Sequence, residues 1–163
     1  MESLSVIIPV YNCREHLENC VRSVINVNSF CKDMLLREVI LVDDGSSDGS
    51  SALCDSVACQ MSNDDCAVRV IHQHNMGVSS ARNEGLRCAV GSYVLFVDSD
   101  DTVDPGKLVE LMQTVSRDPS IDMAVFGMSF DYYSGDRIYR QDVMHLGVSG
   151  KKSIDECREN RFL

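Results

Sequence analysis

The sequence predicts an α/β protein in three layers, with helices on both faces of a mainly parallel central sheet. Short apolar, β-branched runs alternate with longer segments whose apolar residues recur at helical spacing. Such alternation is typical of βαβ units. Polar clusters follow several of the apolar runs, and sheets of this type bind ligands at the carboxyl ends of their strands. We therefore expect a binding site at that edge.

The predicted elements follow from these patterns in chain order. Strands are expected at residues 4–10, 39–42, 68–71, 93–97 and 123–128, and a hairpin turning at 134–136 follows them. Helices are expected at residues 14–27, 48–61 and 78–89, and another begins after residue 104. In that last helix Asp104 suits the N-cap and Pro105 suits the first turn.

Composition restricts the class of protein and its partners. The chain has 163 residues, 44% of them hydrophobic and 25% charged, with a net charge of -10. This balance is that of a globular domain, and the acidic excess argues against nucleic acid as a partner. No apolar run reaches the length of a membrane span. We expect a cytoplasmic protein, with peripheral association at the inner face of a membrane as the alternative.

The cysteines favour a reducing compartment over a disulfide framework. Eight are scattered through the chain with no CxxC pair, which also argues against structural zinc. Cys20, Cys54 and Cys88 lie on apolar helix faces. We interpret the cysteines as small buried hydrophobic residues.

Acidic and polar residues follow three of the predicted strands. The first strand runs into Tyr11 and Asn12, the second into the acidic segment 43–48, and the fourth into 98–101. Any one of these could be an ordinary turn or helix cap. Together, however, their carboxylates would repel one another at one sheet edge unless a cation or ligand donors lay among them. Asp98-x-Asp100 offers hard oxygen ligands that suit Mg²⁺ or Mn²⁺ shared with substrate phosphates.

A further polar segment, residues 74–83, lies between the third strand and the third helix. Gly77 allows the backbone to approach a ligand closely, and the start of the helix favours anions. Arg82 is a candidate contact for a phosphate or a base, although a solvated arginine in the first turns of a helix is an equally reasonable interpretation.

Four motifs together resemble the inverting glycosyltransferase family 2, whose fold is called GT-A. In order they are SVIIPVYN at 5–12, VDDGSSDG at 42–49, NxGxSxARN at 75–83 and FVDSDD at 96–101. Their order and spacing over residues 4–104 make the resemblance specific. It implies that residues 1–118 form the nucleotide-sugar-binding core and that 119–163 begin an incomplete acceptor-side half.

The resemblance also implies roles for individual residues. Pro9, Tyr11 and Asn12 would border the nucleoside, and Asp43 and Asp44 occupy the position where a carboxylate accepts a hydrogen bond from uracil. The matched residues of the third and fourth motifs would complete the donor and metal site. These are Asn75, Gly77 and Arg82 for the donor, Asp100 as the direct metal ligand, Asp98 nearer the ribose, and Asp101 as support for the turn.

The same family needs a carboxylate general base that takes the proton from the acceptor hydroxyl. No equivalent is found, because the acidic pair Asp155-Glu156 has unsuitable flanking residues. The chain also ends at Leu163 in what reads as the middle of an element, so we expect a truncated piece. It would bind the donor and Mn²⁺ or Mg²⁺ but transfer sugar poorly.

Taken together, these expectations describe the transfer of a sugar from a nucleotide-diphosphate donor to a hydroxyl group of a carbohydrate or lipid-linked acceptor. A UDP-sugar is the expected donor. Surface polysaccharide, lipopolysaccharide or cell-wall synthesis is the expected setting. A nucleotide-sugar-binding module without turnover is the main alternative. A receiver domain would need a lysine after the fifth strand, and 124–131 has none; a dinucleotide-binding fold would need glycine after the first strand, where none occurs.

Overall fold

A computed structural model describes residues 3–30, 35–118, 121, 123–124, 127–134 and 137–144. The chain divides into two compact units, Met1–Gln113 and Thr114–Leu163. The first unit contains a parallel sheet with its helices, and the second contains a β-hairpin. The expected turn residues Gly135 and Asp136, together with Cys31, Cys157 and the Asp155-Glu156 pair, lie outside the described residues.

The elements alternate as the sequence predicts through the first unit. The strands are β1 (Ser3–Val10), β2 (Leu35–Asp44), β3 (Ala67–Gln73), β4 (Tyr93–Phe96), β5 (Met128–Ser134) and β6 (Arg137–Met144). The helices are α1 (Leu17–Ile25), α2 (Val27–Phe30), α3 (Ser50–Met61), α4 (Val78–Cys88) and α5 (Pro105–Arg117).

The central sheet has the strand order β3-β2-β1-β4, and all three pairings are parallel. The strands β1 and β2 lie in its middle and are buried along nearly their whole length, which explains why both read as continuous β-branched runs. Because every strand runs the same way, the loops after β1, β2, β3 and β4 emerge at one edge.

Alternate residues of the central strands enter two separate cores, so that helices cover both faces of the sheet. Val6 and Leu41 belong to the core that includes residues of α1, α3 and α5. Ile7 and Ile40 belong to the core on the other face, together with Ala81 of α4. The expected α/β/α architecture is therefore confirmed for the first unit.

The helix α4 packs closely on β1 because Gly85 has no side chain. A Cβ atom at Gly85 would lie 2.4 Å from Cγ2 and 3.2 Å from Cγ1 of Ile7. Ile7 is fully buried and β-branched, so it has few ways to move aside.

We therefore expect Gly85→Ala to lower the free energy of unfolding by about 1 to 3 kcal/mol, even though alanine is the better helix former by about 1 kcal/mol. Urea denaturation measures this loss. Gly106→Ala in α5 is the matched control, because the nearest atom to its Cβ would be a side-chain oxygen of Asp104 at 3.3 Å. A Gly85→Ala variant as stable as the unmodified protein would contradict the close packing.

Several expectations about individual elements were correct. The α5 N-terminus is capped as predicted: the amide of Lys107 donates to Oδ1 of Asp104 at 3.0 Å, and Pro105 opens the helix. The hairpin after residue 127 is also confirmed, with β5 and β6 antiparallel. No helix among the described residues is both long and apolar enough to cross a membrane.

Other expectations need correction. The fifth strand was predicted at 123–128, but Met123, Ala124 and Gly127 lie outside any strand and β5 begins at Met128. The helix expected from residue 14 begins at Leu17, after a turn. Among the cysteines, Cys20, Cys54 and Cys66 are buried, whereas Cys59 is exposed on α3.

Candidate functional site

Two cavities open at the carboxyl edge of the parallel sheet. One has a volume of about 290 Å³ and is lined from β1, β2, α4 and the loops after β3 and β4. The other, of about 650 Å³, lies among the loops after β1, β2 and β4 and the residues that precede α1. Tyr11, Ser99 and Asp100 line both, so the two cavities meet at the loops after β1 and β4. We call the smaller one the α4-side cavity.

The loop after β1 is held by the loop after β2. Asn12 adopts a left-handed backbone with φ of 50°, which asparagine tolerates better than most residues. Its amide donates to Oγ of Ser46 at 3.1 Å, and its Oδ1 accepts from the amide of Ser47 at 2.8 Å. Further along, the amide of Arg14 donates to Asp48 at 3.1 Å. These bonds fix the backbone of the loop that carries Tyr11. The Tyr11 side chain itself is half exposed.

Asp44 fixes the loop after β3. It is buried at 3% exposure, its Oδ1 accepts from Nε2 of Gln73 at 2.7 Å and from the amide of Met76 at 2.8 Å, and its Oδ2 accepts from the amide of Gly77 at 2.8 Å. The chain at Gly77 has φ of 87°, which favours glycine. Asp44 also lines the α4-side cavity, so the residue that holds the loop after β3 is itself part of the cavity wall.

The neighbouring Asp43 faces the other side of the sheet, as consecutive strand residues must. Its Oδ1 accepts from the amide of Ser46 at 3.1 Å, and its Oδ2 lies 2.9 Å from Nδ1 of His72. Burial raises the pKa of Asp43, but the hydrogen bonds from Ser46 and His72 outweigh it and the pKa is lowered. Of the two carboxylates expected at the uracil position, Asp44 lines the α4-side cavity, whereas Asp43 is held by Ser46 and His72.

The loop after β4 carries Asp98 and Asp100. Asp98 forms an ion pair with Arg82 of α4, with 2.6 Å between Oδ1 and Nη2. The carbonyl of Asp98 accepts from Asp101, whose amide lies at 3.0 Å, and from the Cys20 thiol at 3.5 Å. Nε of Arg82 is buried without a protein partner in the described structure. The loop is therefore held on both sides of the sheet, from α4 and from α1.

Negative charge accumulates around this loop. Burial, followed by the charges of Asp100 and Asp98, raises the pKa of Asp101. Burial also raises the pKa of the Cys20 thiol to about 12, with smaller contributions from Cys13 and from all three aspartates of the loop. Within the described part of the chain, the guanidinium of Arg82 is the one cationic group paired with this cluster, so a cation would find an attractive potential here.

The two candidate metal ligands meet the requirements of Mg²⁺ or Mn²⁺ only in part. Asp98 and Asp100 both line the α4-side cavity and are exposed. Among the described residues no three His, Cys, Asp or Glu side chains converge as a metal site. In nucleotide sites Mg²⁺ is usually held by one or two carboxylates, and water and phosphate oxygens fill its other coordination positions. Asp98 and Asp100 therefore fit a metal that binds together with a phosphorylated ligand.

The structure gathers most of the residues singled out from the sequence. The α4-side cavity is lined by Pro9, Tyr11, Asp44, Asn75, Gly77, Asp98 and Asp100. Asn12 lines the larger cavity, and Arg82 reaches the site through Asp98. Sequence reasoning missed His72, whose partners Asp43 and Asp55 are far away in the chain. Only the position of His72 at the carboxyl end of β3 could have indicated it.

The fold and its acidic edge define an α/β protein whose cavities open at the carboxyl ends of parallel strands, the place where sheets of this type bind ligands. Residues 5–159 match the family model described as Glycosyl transferase family 2. The chain therefore belongs to this family, as its four motifs predicted, and the fold is GT-A.

Comparison with individual proteins agrees with the family assignment. The chain is 37% identical to the glycosyltransferase GlyG of Streptococcus pneumoniae over 136 residues, which is 83% of this chain and 42% of GlyG. It is similar to the structure of S. aureus TarS 1-349 in complex with UDP-GlcNAc (TM-score 0.58, 28% identity, 72% of this chain and 32% of that one). It is also similar to the mannosyltransferase PcManGT from Pyrobaculum calidifontis in complex with GDP-Man and Mn²⁺ (TM-score 0.61, 25% identity, 72% and 33%). The chain thus spans less than half the length of each.

Proposed function

We propose that this chain is the donor-binding part of a metal-assisted, inverting glycosyltransferase that uses a nucleotide-diphosphate sugar. The observation that carries the proposal is the convergence of Asp44, Asp98 and Asp100 with Tyr11 on one cavity at the carboxyl edge of a parallel sheet. The complexes of TarS with UDP-GlcNAc and of PcManGT with GDP-Man and Mn²⁺ support it.

Asp44 is the group that we assign to the nucleobase. A carboxylate has about four positions for accepting hydrogen bonds, and three of those of Asp44 are taken by the loop after β3. The position left on Oδ2 suits a single N–H donor, such as the imide of uracil. Tyr11, which is half exposed, lines the same cavity. A UDP-linked donor fits this position, and so would the ring N–H of guanine.

Asp100 and Asp98 are the residues that would hold Mn²⁺ or Mg²⁺, with Asp100 as the direct ligand because Oδ1 of Asp98 is paired with Arg82. When bound, the metal neutralises charge on the departing diphosphate. Arg82 orients Asp98 and adds a second positive charge near the phosphates. Gly77, at the start of α4, lets the donor approach the backbone of the loop.

The acceptor side is assigned to the remainder of the protein. We propose that residues 1–118 hold the donor and that the acceptor half begins in 119–163. The carboxylates that line the α4-side cavity are all assigned to donor or metal, which leaves none of these as the general base. The same observation favours a second candidate for the chain by itself, a nucleotide-sugar-binding module without turnover.

The acceptor is proposed to be a carbohydrate or a lipid-linked sugar, in surface polysaccharide, lipopolysaccharide or cell-wall synthesis. This follows from the family alone. We propose that the protein works in the cytoplasm, with lipid-linked acceptors presented at the inner face of the membrane.

Titration of UDP into the protein by calorimetry, with and without Mn²⁺, tests the donor site. We expect binding that requires Mn²⁺ and that weakens at least about tenfold in Asp100→Ala, because the metal loses a direct ligand. At a UDP concentration of about one hundred times the dissociation constant, the fold should also gain about 2.7 kcal/mol.

The matched control is Asp64→Ala, which removes an exposed aspartate from the loop before β3. It should leave both the affinity and its dependence on Mn²⁺ unchanged. UDP binding that is the same with and without Mn²⁺, or in Asp100→Ala, would contradict the metal assignment, and a folded protein that binds no UDP would contradict the donor assignment.

A further inference from the structure

A histidine lies between two carboxylates on the α3 side of the sheet. His72 of β3 has its Nδ1 2.9 Å from Oδ2 of Asp43 and its Nε2 3.1 Å from Oδ1 of Asp55 on α3. Oγ of Ser51, also on α3, lies 3.2 Å from the same Nδ1. We call Asp43, His72 and Asp55 the histidine clamp, since it joins β2, β3 and α3.

The geometry of the clamp favours a protonated imidazole. A neutral histidine has one N–H donor and one lone pair, so one of its nitrogens would turn a lone pair toward a carboxylate. The imidazolium donates from both nitrogens and satisfies both contacts. The hydrogen bonds to Asp43 and then to Asp55 raise the pKa of His72, which agrees with this protonation state.

Hydrogen bonds connect the clamp with the donor cavity on the other side of the sheet. Asp43 accepts from the amide of Ser46 at 3.1 Å, and Oγ of Ser46 accepts from the amide of Asn12 at 3.1 Å. Asn12 holds its left-handed conformation through this bond and the one to Ser47. Tyr11, the next residue back, lines both cavities.

We infer that protonated His72 is a positioning residue for the Tyr11 loop, so that donor affinity depends on pH through a group that does not line the cavity. The charged clamp fixes the Asp43 carboxylate, Asp43 fixes the turn at Ser46, and that turn fixes Asn12 and thereby Tyr11. The inference rests on the proposed function, because it assigns a role in donor binding.

The direction of the pH dependence follows from the charges around His72. Two carboxylates face it, Asp43 from β2 and Asp55 from α3, together with the neutral hydroxyl of Ser51. The nearby Cys54 thiol stays neutral, since burial and then the charges of Asp43 and Asp55 raise its pKa to about 12. The clamp is therefore complete below the raised pKa of His72 and is lost as the pH rises through it. Donor affinity should fall over the same range.

The test is a series of UDP titrations with Mg²⁺ by calorimetry, from about pH 6 to about pH 8.5, which covers the ordinary histidine range and the pH values above it. For the unmodified protein we expect the affinity to fall about fivefold across the series. His72→Gln should bind about fivefold more weakly at the acidic end and change little with pH. His74→Gln, two residues further along, is the matched control and should follow the unmodified protein, since the hydrogen bonds to Asp43 and Asp55 come from His72 and not from His74.

Asp55→Asn is the second variant, and it tests the positioning role of His72 if His72→Gln does not fold. Asp55 is 64% exposed, and asparagine keeps an oxygen for Nε2 of His72 while the charge is removed. The midpoint of the pH dependence should move to lower pH by about half a unit to one unit. The pH titration of the His72 ring chemical shifts, followed by NMR, should have its midpoint displaced in the same direction.

The outcomes separate this inference from the proposed function. Unchanged affinity and an unchanged pH profile in His72→Gln, or an unmoved midpoint in Asp55→Asn, overturn the positioning role and leave the donor site intact. Failure of the unmodified protein to bind UDP at any pH overturns the proposed function and the inference with it.

Discussion

Replacing Glu38 with alanine is expected to lower the free energy of unfolding by about 3 kcal/mol. Glu38 lies in β2, far from the site, and is only 3% exposed. Its Oε1 accepts from Oγ of Ser5 at 2.7 Å and from the amide of Val90 at 2.8 Å, while Oε2 lies 2.6 Å from Nη2 of Arg69. Alanine would leave the Ser5 hydroxyl and the Val90 amide without this acceptor.

The comparison with an exposed carboxylate makes this test specific. Glu18 also pairs with an arginine, Arg22, at 2.7 Å, but both side chains are about half exposed. Glu18→Ala should therefore cost less than about 0.5 kcal/mol. Urea denaturation of both variants measures the difference. If Glu38→Ala and Glu18→Ala lowered the free energy of unfolding equally, burial of Glu38 would add nothing to its three contacts. Glu38→Gln keeps one oxygen acceptor, so its loss of stability should lie between those of the two alanine variants.

The role of Glu38 could not be predicted from the sequence. It is one charged residue at the start of an apolar run, and its partners Ser5 and Val90 are 33 and 52 positions away. By contrast, the strands and helices of the first unit follow from local apolar patterns, because burial on both faces leaves a continuous run and burial on one face leaves a helical period. A local pattern does not show which residues that are far apart in the chain come into contact.

The same limit explains the errors at the ends of elements. The strand β2 was predicted to stop at residue 42, because the aspartates that follow read as a loop, yet it continues to Asp44. With the strand extended, alternation alone would have placed Asp43 and Asp44 on opposite faces. The apolar residues after 122 read as a fifth strand, but strand pairing starts at Met128 and continues through a hairpin. Resemblance to the family motifs predicts which residues form the site, and the coordinates show that Asp44 lines the α4-side cavity while Asn12 and Asp43 hold the loops.

The separation of Asp43 from Asp44 leads to the largest effect expected on binding. We expect Asp44→Asn to weaken UDP affinity by about one hundredfold, equivalent to about 2.7 kcal/mol, and to lower the free energy of unfolding by about 1 to 3 kcal/mol. In the amide, one oxygen is replaced by an NH₂ group. Whichever way the amide turns, a donor then faces a donor: the Gly77 amide on one side, or Gln73 and the Met76 amide on the other.

Two consequences for the donor follow from that mismatch. The loop after β3 loses the bonds that place Asn75 and Gly77 at the wall of the α4-side cavity, and the nucleobase loses a charged acceptor. Calorimetry with Mn²⁺ measures the affinity, and Asp64→Asn provides the matched control, since it makes the same change of charge at an exposed position. If Asp44→Asn bound UDP as tightly as the control, Asp44 could not be the group that recognises the base. The acceptor would then have to lie elsewhere in the cavity, and Asp44 would be left with the structural role that its three hydrogen bonds already define.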